Sequence, residues 1–259
     1  MLILSSGGDT KKECNCGEAK ETPTLWNRIA GGEKAGLDEF PWVVSLHSLT
    51  TKVNGMPHFF CTGALLDPSH VLTAAHCVGD RDDEDIMVIL ANNNKMYPHP
   101  QHVAVNVTRT YLHLSTKCTS SLLYLSCITY SSYFLDSNAS DVAVVSLAAR
   151  VQYSHKIKPV CLPSSPSQDY AGKEAMAAGF GRGDDNSPIQ YELMKKIVTL
   201  IPDEKCHRRY NNMKLICSTE PCCNGPSMRL GDSGSALNFK ENGRYVDFQS
   251  FCLHILDSS

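Results

Sequence analysis

From residue 29 onward, apolar residues fall in short runs rich in β-branched and aromatic side chains, each broken by Gly, Pro, Asp or Asn. Runs of that kind suit pleated, half-buried strands separated by turns. They occur at 41–47, 59–66, 70–73, 86–90, 102–107, 142–147, 174–178, 195–200, 215–217, 235–239 and 244–251. The segment 102–107 carries the sharpest alternation: Val103, Val105 and Val107 lie between His102, Ala104 and Asn106. One face of that strand is therefore apolar, and Asn106 should point outward. A helix is expected only locally, over 203–210, where Pro202-Asp203 can open a short turn. Roughly a dozen short strands with no internal repeat predict an all-β fold of the barrel type. Residues 1–28 lack apolar periodicity and read as a polar, extended lead-in. The chain thus divides at Arg28-Ile29 into a lead-in (1–28) and one folded domain (29–259).

Composition narrows the class. With 42% hydrophobic and 20% charged residues, the 259-residue chain has the make-up of an ordinary globular protein with ample material for a core. A net charge of −3 without a run of five or more like charges offers no footprint for nucleic acid or an anionic membrane, and neither partner is expected. No apolar stretch approaches the length of a membrane span, and Met1-Leu-Ile-Leu4 is shorter than the apolar part of a signal peptide. Twelve cysteines lack the paired spacing of zinc clusters, so disulfides, and with them secretion, are the expectation. Sequons at Asn106-Val-Thr108 and Asn138-Ala-Ser140 agree with that route and mark both asparagines as glycosylation candidates.

Three segments carry the chemistry. In Leu72-Thr-Ala-Ala-His76-Cys77, small residues after a strand leave room around an imidazole, the natural proton acceptor near neutral pH. Cys61 lies sixteen positions before Cys77 across two strand-like runs, and a disulfide between them would hold His76 at the end of a β-hairpin. Gly231-Asp-Ser-Gly234 is a glycine-flanked serine on a tight turn, which lets the N–H groups of Gly231 and Ser233 converge on a developing oxyanion. Asp141 leads directly into the run 142–147, a place from which a carboxylate can orient an imidazole. An α/β-hydrolase would carry G-x-S-x-G and the order Ser, Asp, His; here the order is His, Asp, Ser and position 235 is Ser.

With these segments in that order, the sequence resembles the chymotrypsin- and trypsin-like serine peptidases. Arg28-Ile-Ala-Gly-Gly32 is similar to the family's activation junction, Glu39-Phe-Pro-Trp-Val-Val-Ser-Leu46 to its first barrel strand, and Pro159-Val-Cys-Leu-Pro163 and Ala178-Gly-Phe-Gly181 to its interdomain region. The resemblance implies two six-stranded antiparallel β-barrels with the active site between them. It also implies His76, Asp141 and Ser233 as catalytic residues, with no metal or cofactor. Cleavage at Arg28 would free the α-ammonium group of Ile29 to pair with Asp232, and Cys14 or Cys16 would tie the lead-in to Cys161. Cys206–Cys217 is expected because both residues flank the short helical segment and the strand after it, and Cys118–Cys127 from proximity in one loop. Partners would be protein or peptide substrates, protein inhibitors and an activating protease.

The departures from the family pattern carry expectations of their own. The stretch between His76 and Asp141 is longer than usual, and the excess around 112–133 reads as an added surface loop. Ala175 and Phe239 stand where many relatives place one disulfide, so both halves of that bridge are absent together. Ser227 occupies the position at which trypsin-like members carry an acidic pocket floor, and no preference for Lys or Arg is expected. Twenty-six residues follow Ser233, about half the family's usual number, so the second barrel is expected to be incomplete at its C-terminus and catalysis to be weak. Two other readings compete with the enzyme. One is a protease-like binding or regulatory protein of low or no activity; the other is a metal site built from Cys206, His207, Cys222 and Cys223.

Overall fold

A computed structural model describes residues 15–20, 33–112, 141–164, 170–181, 191–201, 217–218 and 233–249. Six strands close into an antiparallel barrel: β2 (Val43–Val53), β3 (Met56–Asp67), β4 (His70–Thr73), β5 (Ile86–Leu90), β6 (Val103–Leu112) and β7 (Ala143–Leu147), in the order β2-β3-β4-β7-β6-β5. Closure leaves no open edge to cap. Six more form a second antiparallel sheet: β1 (Glu33–Lys34), β8 (Glu174–Gly179), β9 (Met194–Ile201), β10 (Cys217–Ser218), β11 (Ala236–Glu241) and β12 (Arg244–Gln249). Its order is β1-β9-β8-β11-β12, with β10 also paired to β9. The all-β reading holds, with helix confined among the described residues to one α-turn, α1 (Ala75–Val78), and one 3-10 turn (Asp83–Asp85).

Strand boundaries follow local chemistry. The β2–β3 hairpin turns at Asn54 and Gly55, with φ of 53° and 80°. Two consecutive left-handed residues make the turn whose twist matches that of the flanking strands, and Asn-Gly is the pair that adopts it at least cost. In β6, Val105 and Val107 are buried while Ala104, Asn106 and Thr108 face outward, as the alternation predicts, but Val103 at the strand's start is exposed. The strand runs on to Leu112 instead of ending at 107, because its far half pairs with β7. Of the strand expected at 215–217, Cys217 lies in β10 (Cys217–Ser218), while 215 and 216 and the helix expected over 203–210 lie outside the described residues.

The main core fills the first barrel with Leu46, Leu65, Val71, Val88, Leu90 and Val145 and continues through Trp42 into the seam, where Phe180 and Ala236 join it. Trp42 donates its indole N–H to Asn238 Oδ1 at 2.8 Å, and Asn238 in turn donates to Met176 O. Each buried polar group in that chain has a partner, and one hydrogen bond ties the first barrel to strand β11. A smaller cluster supports the second sheet: Tyr170, Ala175, Ala177, Val198, Leu200, Leu237 and Phe239. Ala175 and Phe239, both 3% exposed, lie together there, and Phe239 packs on the Tyr170 ring at 4.9 Å. One large and one small apolar side chain thus occupy the space in which many relatives are expected to carry a disulfide.

Lead-in residues 15–20 dock on the back of the seam. Cys16 is bonded to Cys161, while Cys14 lies outside the described residues. Gly17 donates to Pro159 O at 2.8 Å and accepts from Tyr245 N at 2.9 Å. Its φ is 68°, and a β-carbon there would stand 2.2 Å from Tyr245 O, so only glycine fits.

Candidate active site

Strand pairing explains how residues 65 positions apart meet. β4 and β7 are antiparallel, with Thr73 opposite Ala143. The chain leaving β4 therefore emerges beside the chain entering β7. His76 lies three residues past Thr73 and Asp141 two residues before Ala143, so both stand at the same lip of the barrel. His76 lies in α1, directly past the end of the β3–β4 hairpin: buried Ala74 and Ala75 let the chain wind one turn, and the Cys61–Cys77 disulfide pins that turn to β3.

The contact is two-pronged. Asp141 Oδ2 lies 2.6 Å from His76 Nδ1, and Oδ1 accepts the His76 backbone N–H at 2.8 Å. The two side chains are 12% and 18% exposed, which strengthens a charge-assisted hydrogen bond relative to one in water. With Nδ1 donating to the carboxylate, Nε2 carries the lone pair and can accept a proton from a neighbour.

Ser233 belongs to a turn that is wedged against the first barrel. Its carbonyl accepts the N–H of Thr62 at 3.0 Å. Gly234 follows with φ of 77°, and a β-carbon there would meet Thr62 O at 2.3 Å, Thr73 Oγ1 at 2.4 Å and Ala74 N at 3.1 Å. Thr73 itself donates to Thr62 O at 2.8 Å. The serine turn therefore rests on the two threonines that precede the histidine segment. Gly231, Asp232, Ser227, Arg28, Ile29, Cys206, Cys118, Cys127 and Asn138 lie outside the described residues, as do His207, Cys222 and Cys223 of the metal reading; Cys217 is described only as the start of β10. Asn106 is exposed on β6, opposite Met87 of β5.

Thr62 and Thr73 were missed by the sequence reading; both are wholly buried in strands that otherwise read as apolar. The available signal was the doubled glycine around Ser233, since a left-handed glycine implies a surface it must approach. Replacing Gly234 by Ala is expected to push the serine turn off the barrel and lower kcat/KM on the order of a hundredfold, with near-native circular dichroism. A loss below threefold would show that the turn is free to move.

Among the described residues, the one group able to gather metal-ligating atoms is Cys61, His76 and Cys77, within 4.8 Å of one another. Both sulfurs are spent in the disulfide, so the set offers no thiolate and does not fit a metal.

The family model described as Trypsin matches residues 29–247. Chymotrypsin-C of Bos taurus is 31% identical over 239 residues, covering 89% of this chain and 80% of that protein. Melanization protease 1 of Drosophila melanogaster is 30% identical, covering 86% of this chain and 56% of that protein. The venom protease of Bombus pensylvanicus is 26% identical, covering 85% of each.

Proposed function

Because this chain belongs to the trypsin family of serine-type hydrolases, we propose that it is a secreted endopeptidase, made as a zymogen and activated by cleavage at Arg28-Ile29. What carries the reading is the His76–Asp141 pair held at the barrel lip beside the wedged Ser233 turn. In this mechanism Nε2 of His76 takes the proton from Ser233 Oγ as the oxygen attacks a peptide carbonyl. The N–H groups of Gly231 and Ser233 receive the oxyanion. The peptide C–N bond breaks as His76 gives its proton to the departing amine, leaving an ester on Ser233. Water then attacks that ester with His76 again as base, the acyl C–Oγ bond breaks as His76 returns the proton to Ser233, and Asp141 steadies the charged imidazolium throughout.

The finer points have narrower support. Disulfides Cys16–Cys161 and Cys61–Cys77 fit an oxidising destination, and among the described residues no helix is long and apolar enough to cross a membrane. Exposure of Asn106 suits a glycan there, and Asn138 is a second candidate. The Cys16–Cys161 bond implies that the lead-in (1–28) stays attached to the peptidase domain (29–259) after cleavage. Ser227, as the pocket floor, leaves a cationic side chain without a counter-charge, so apolar or small residues should be preferred at the cleavage site. Protein substrates, protein inhibitors and an activating protease are the partners this function requires.

The test is to cleave the purified chain after Arg28, treat it with a serine-directed phosphonate, and map the adduct beside Ser233→Ala. Labelling of Ser233 with turnover of a casein-like substrate is the expected result. An unlabelled, fully cleaved protein would replace the enzyme with a protease-like binding protein.

A further inference from the structure

The segment just after the cleavage junction is held by a buried cation. Lys195 of β9 is 6% exposed, and a lysine so deeply buried requires partners. Its ammonium group contacts Glu39, itself 7% exposed, and reaches Glu33 Oε1 at 3.2 Å. The other Glu39 oxygen accepts the Gly36 N–H at 2.9 Å. Burial alone would lower the Lys195 pKa, but hydrogen bonds to Glu39 and Glu33 outweigh it and hold the ammonium above the usual lysine value. The backbone reinforces the cluster. Glu33 pairs with Lys195 and Lys34 with Met194, and Ala35 donates to Leu193 O at 2.8 Å. On the other side of the junction, Lys20 of the lead-in is 3.3 Å from Asp38.

From this placement we infer that the Glu33–Lys195–Glu39 cluster is a positioning latch. It fixes the point from which the Ile29 terminus, released by cleavage, reaches for its acceptor. The inference rests on the zymogen reading above. After cleavage at Arg28, only Ile29 to Gly32 precede the anchored Glu33, which limits the free amine to a tether of about 14 Å. A short tether raises the effective concentration of the amine at any acceptor within reach. Without the latch, the first firm anchor becomes Ala35, buried and hydrogen-bonded to Leu193 O, and the tether grows from about four residues to about six. Effective concentration falling as the −3/2 power of length then drops about twofold.

The experiment compares cleaved wild type with Lys195→Met/Glu39→Gln, in which both buried charges are removed together so that neither is left unpaired. Two readouts are taken: the rate at which the Ile29 α-amine is modified by cyanate, and the fraction of Ser233 labelled by phosphonate. The variant is expected to expose the amine about twofold more and to label Ser233 correspondingly less, with Lys195→Arg restoring both. Glu33→Gln, at a half-exposed position that the fold tolerates, should move both readouts the same way by a smaller factor. Unchanged amine reactivity in both variants would overturn the latch. A wild-type protein whose amine is fully reactive after cleavage and whose Ser233 stays unlabelled would instead overturn the zymogen reading, and the latch with it.

Discussion

On the mechanism proposed above, replacement of Asp141 by Asn is expected to lower kcat of the chain cleaved at Arg28 roughly 10⁴-fold at neutral pH, with the fold intact. Asp141 accepts twice, from the backbone N–H of His76 and from its Nδ1. An asparagine of the same shape keeps one oxygen and can satisfy only one of those donors as before. If the oxygen stays on the backbone N–H, the amide NH2 faces Nδ1 and forces the proton to Nε2. His76 then presents a donor where Ser233 needs an acceptor. The imidazolium formed during attack also loses its counter-charge. The measurement is steady-state kinetics on an apolar peptide substrate alongside thermal unfolding. A stable Asp141→Asn protein within tenfold of wild type would remove Asp141 from the mechanism.

The second large effect concerns stability and lies away from the chemistry. Asp247 of β12 is 2% exposed, faces Asn238 across the strand pair, and donates its backbone N–H to Cys161 O at 2.9 Å. Among the described residues its Oδ1 has no hydrogen-bond partner. Burial pushes the carboxyl pKa up to about 8 against the opposing pull of the Leu237 N–H. Between pH 4 and pH 8 the folded chain therefore keeps a proton that the unfolded chain has released. Stability from this group is complete below about pH 4, declines as pH rises towards 8, and is flat beyond, a loss on the order of several kcal/mol. Asp247→Asn cannot ionise and should show no such decline. Urea midpoints at pH 5 and pH 8.5 test this: wild type should fall sharply between them relative to the variant. Equal slopes in the two proteins would mean that Asp247 reaches water or a cation.

Much of the first barrel was legible because its strands are buried on one face, and a one-residue slip would expose the whole apolar set. The outer half of the β2–β3 hairpin was not. From Thr50 to Met56 every side chain is exposed, so no apolar alternation marks the strand, and only Asn54-Gly55 hints at the turn. Histidines were separable by context alone. His47 is fully enclosed by Ser45, Pro57 and Phe59, and burial lowers its pKa to about 4, yet its strand reads like any other apolar run. His76 stood out because alanines and a cysteine surround it. Glu39, Lys195 and Asp247 escaped for a common reason. Charged residues in strands are expected to face water, and nothing local tells a buried ion pair from a solvated one.

The pair Ala175 and Phe239 has a consequence for how the molecule meets a reducing environment. The cluster around them, with Tyr170, Ala177, Val198, Leu200 and Leu237, contains no sulfur. Thiols that open Cys61–Cys77 and Cys16–Cys161 would unclip the histidine turn and the lead-in while leaving that cluster untouched. Among the described residues, the disulfides thus sit at the histidine turn and the lead-in, and the apolar cluster beneath β8, β9 and β11 holds neither of them.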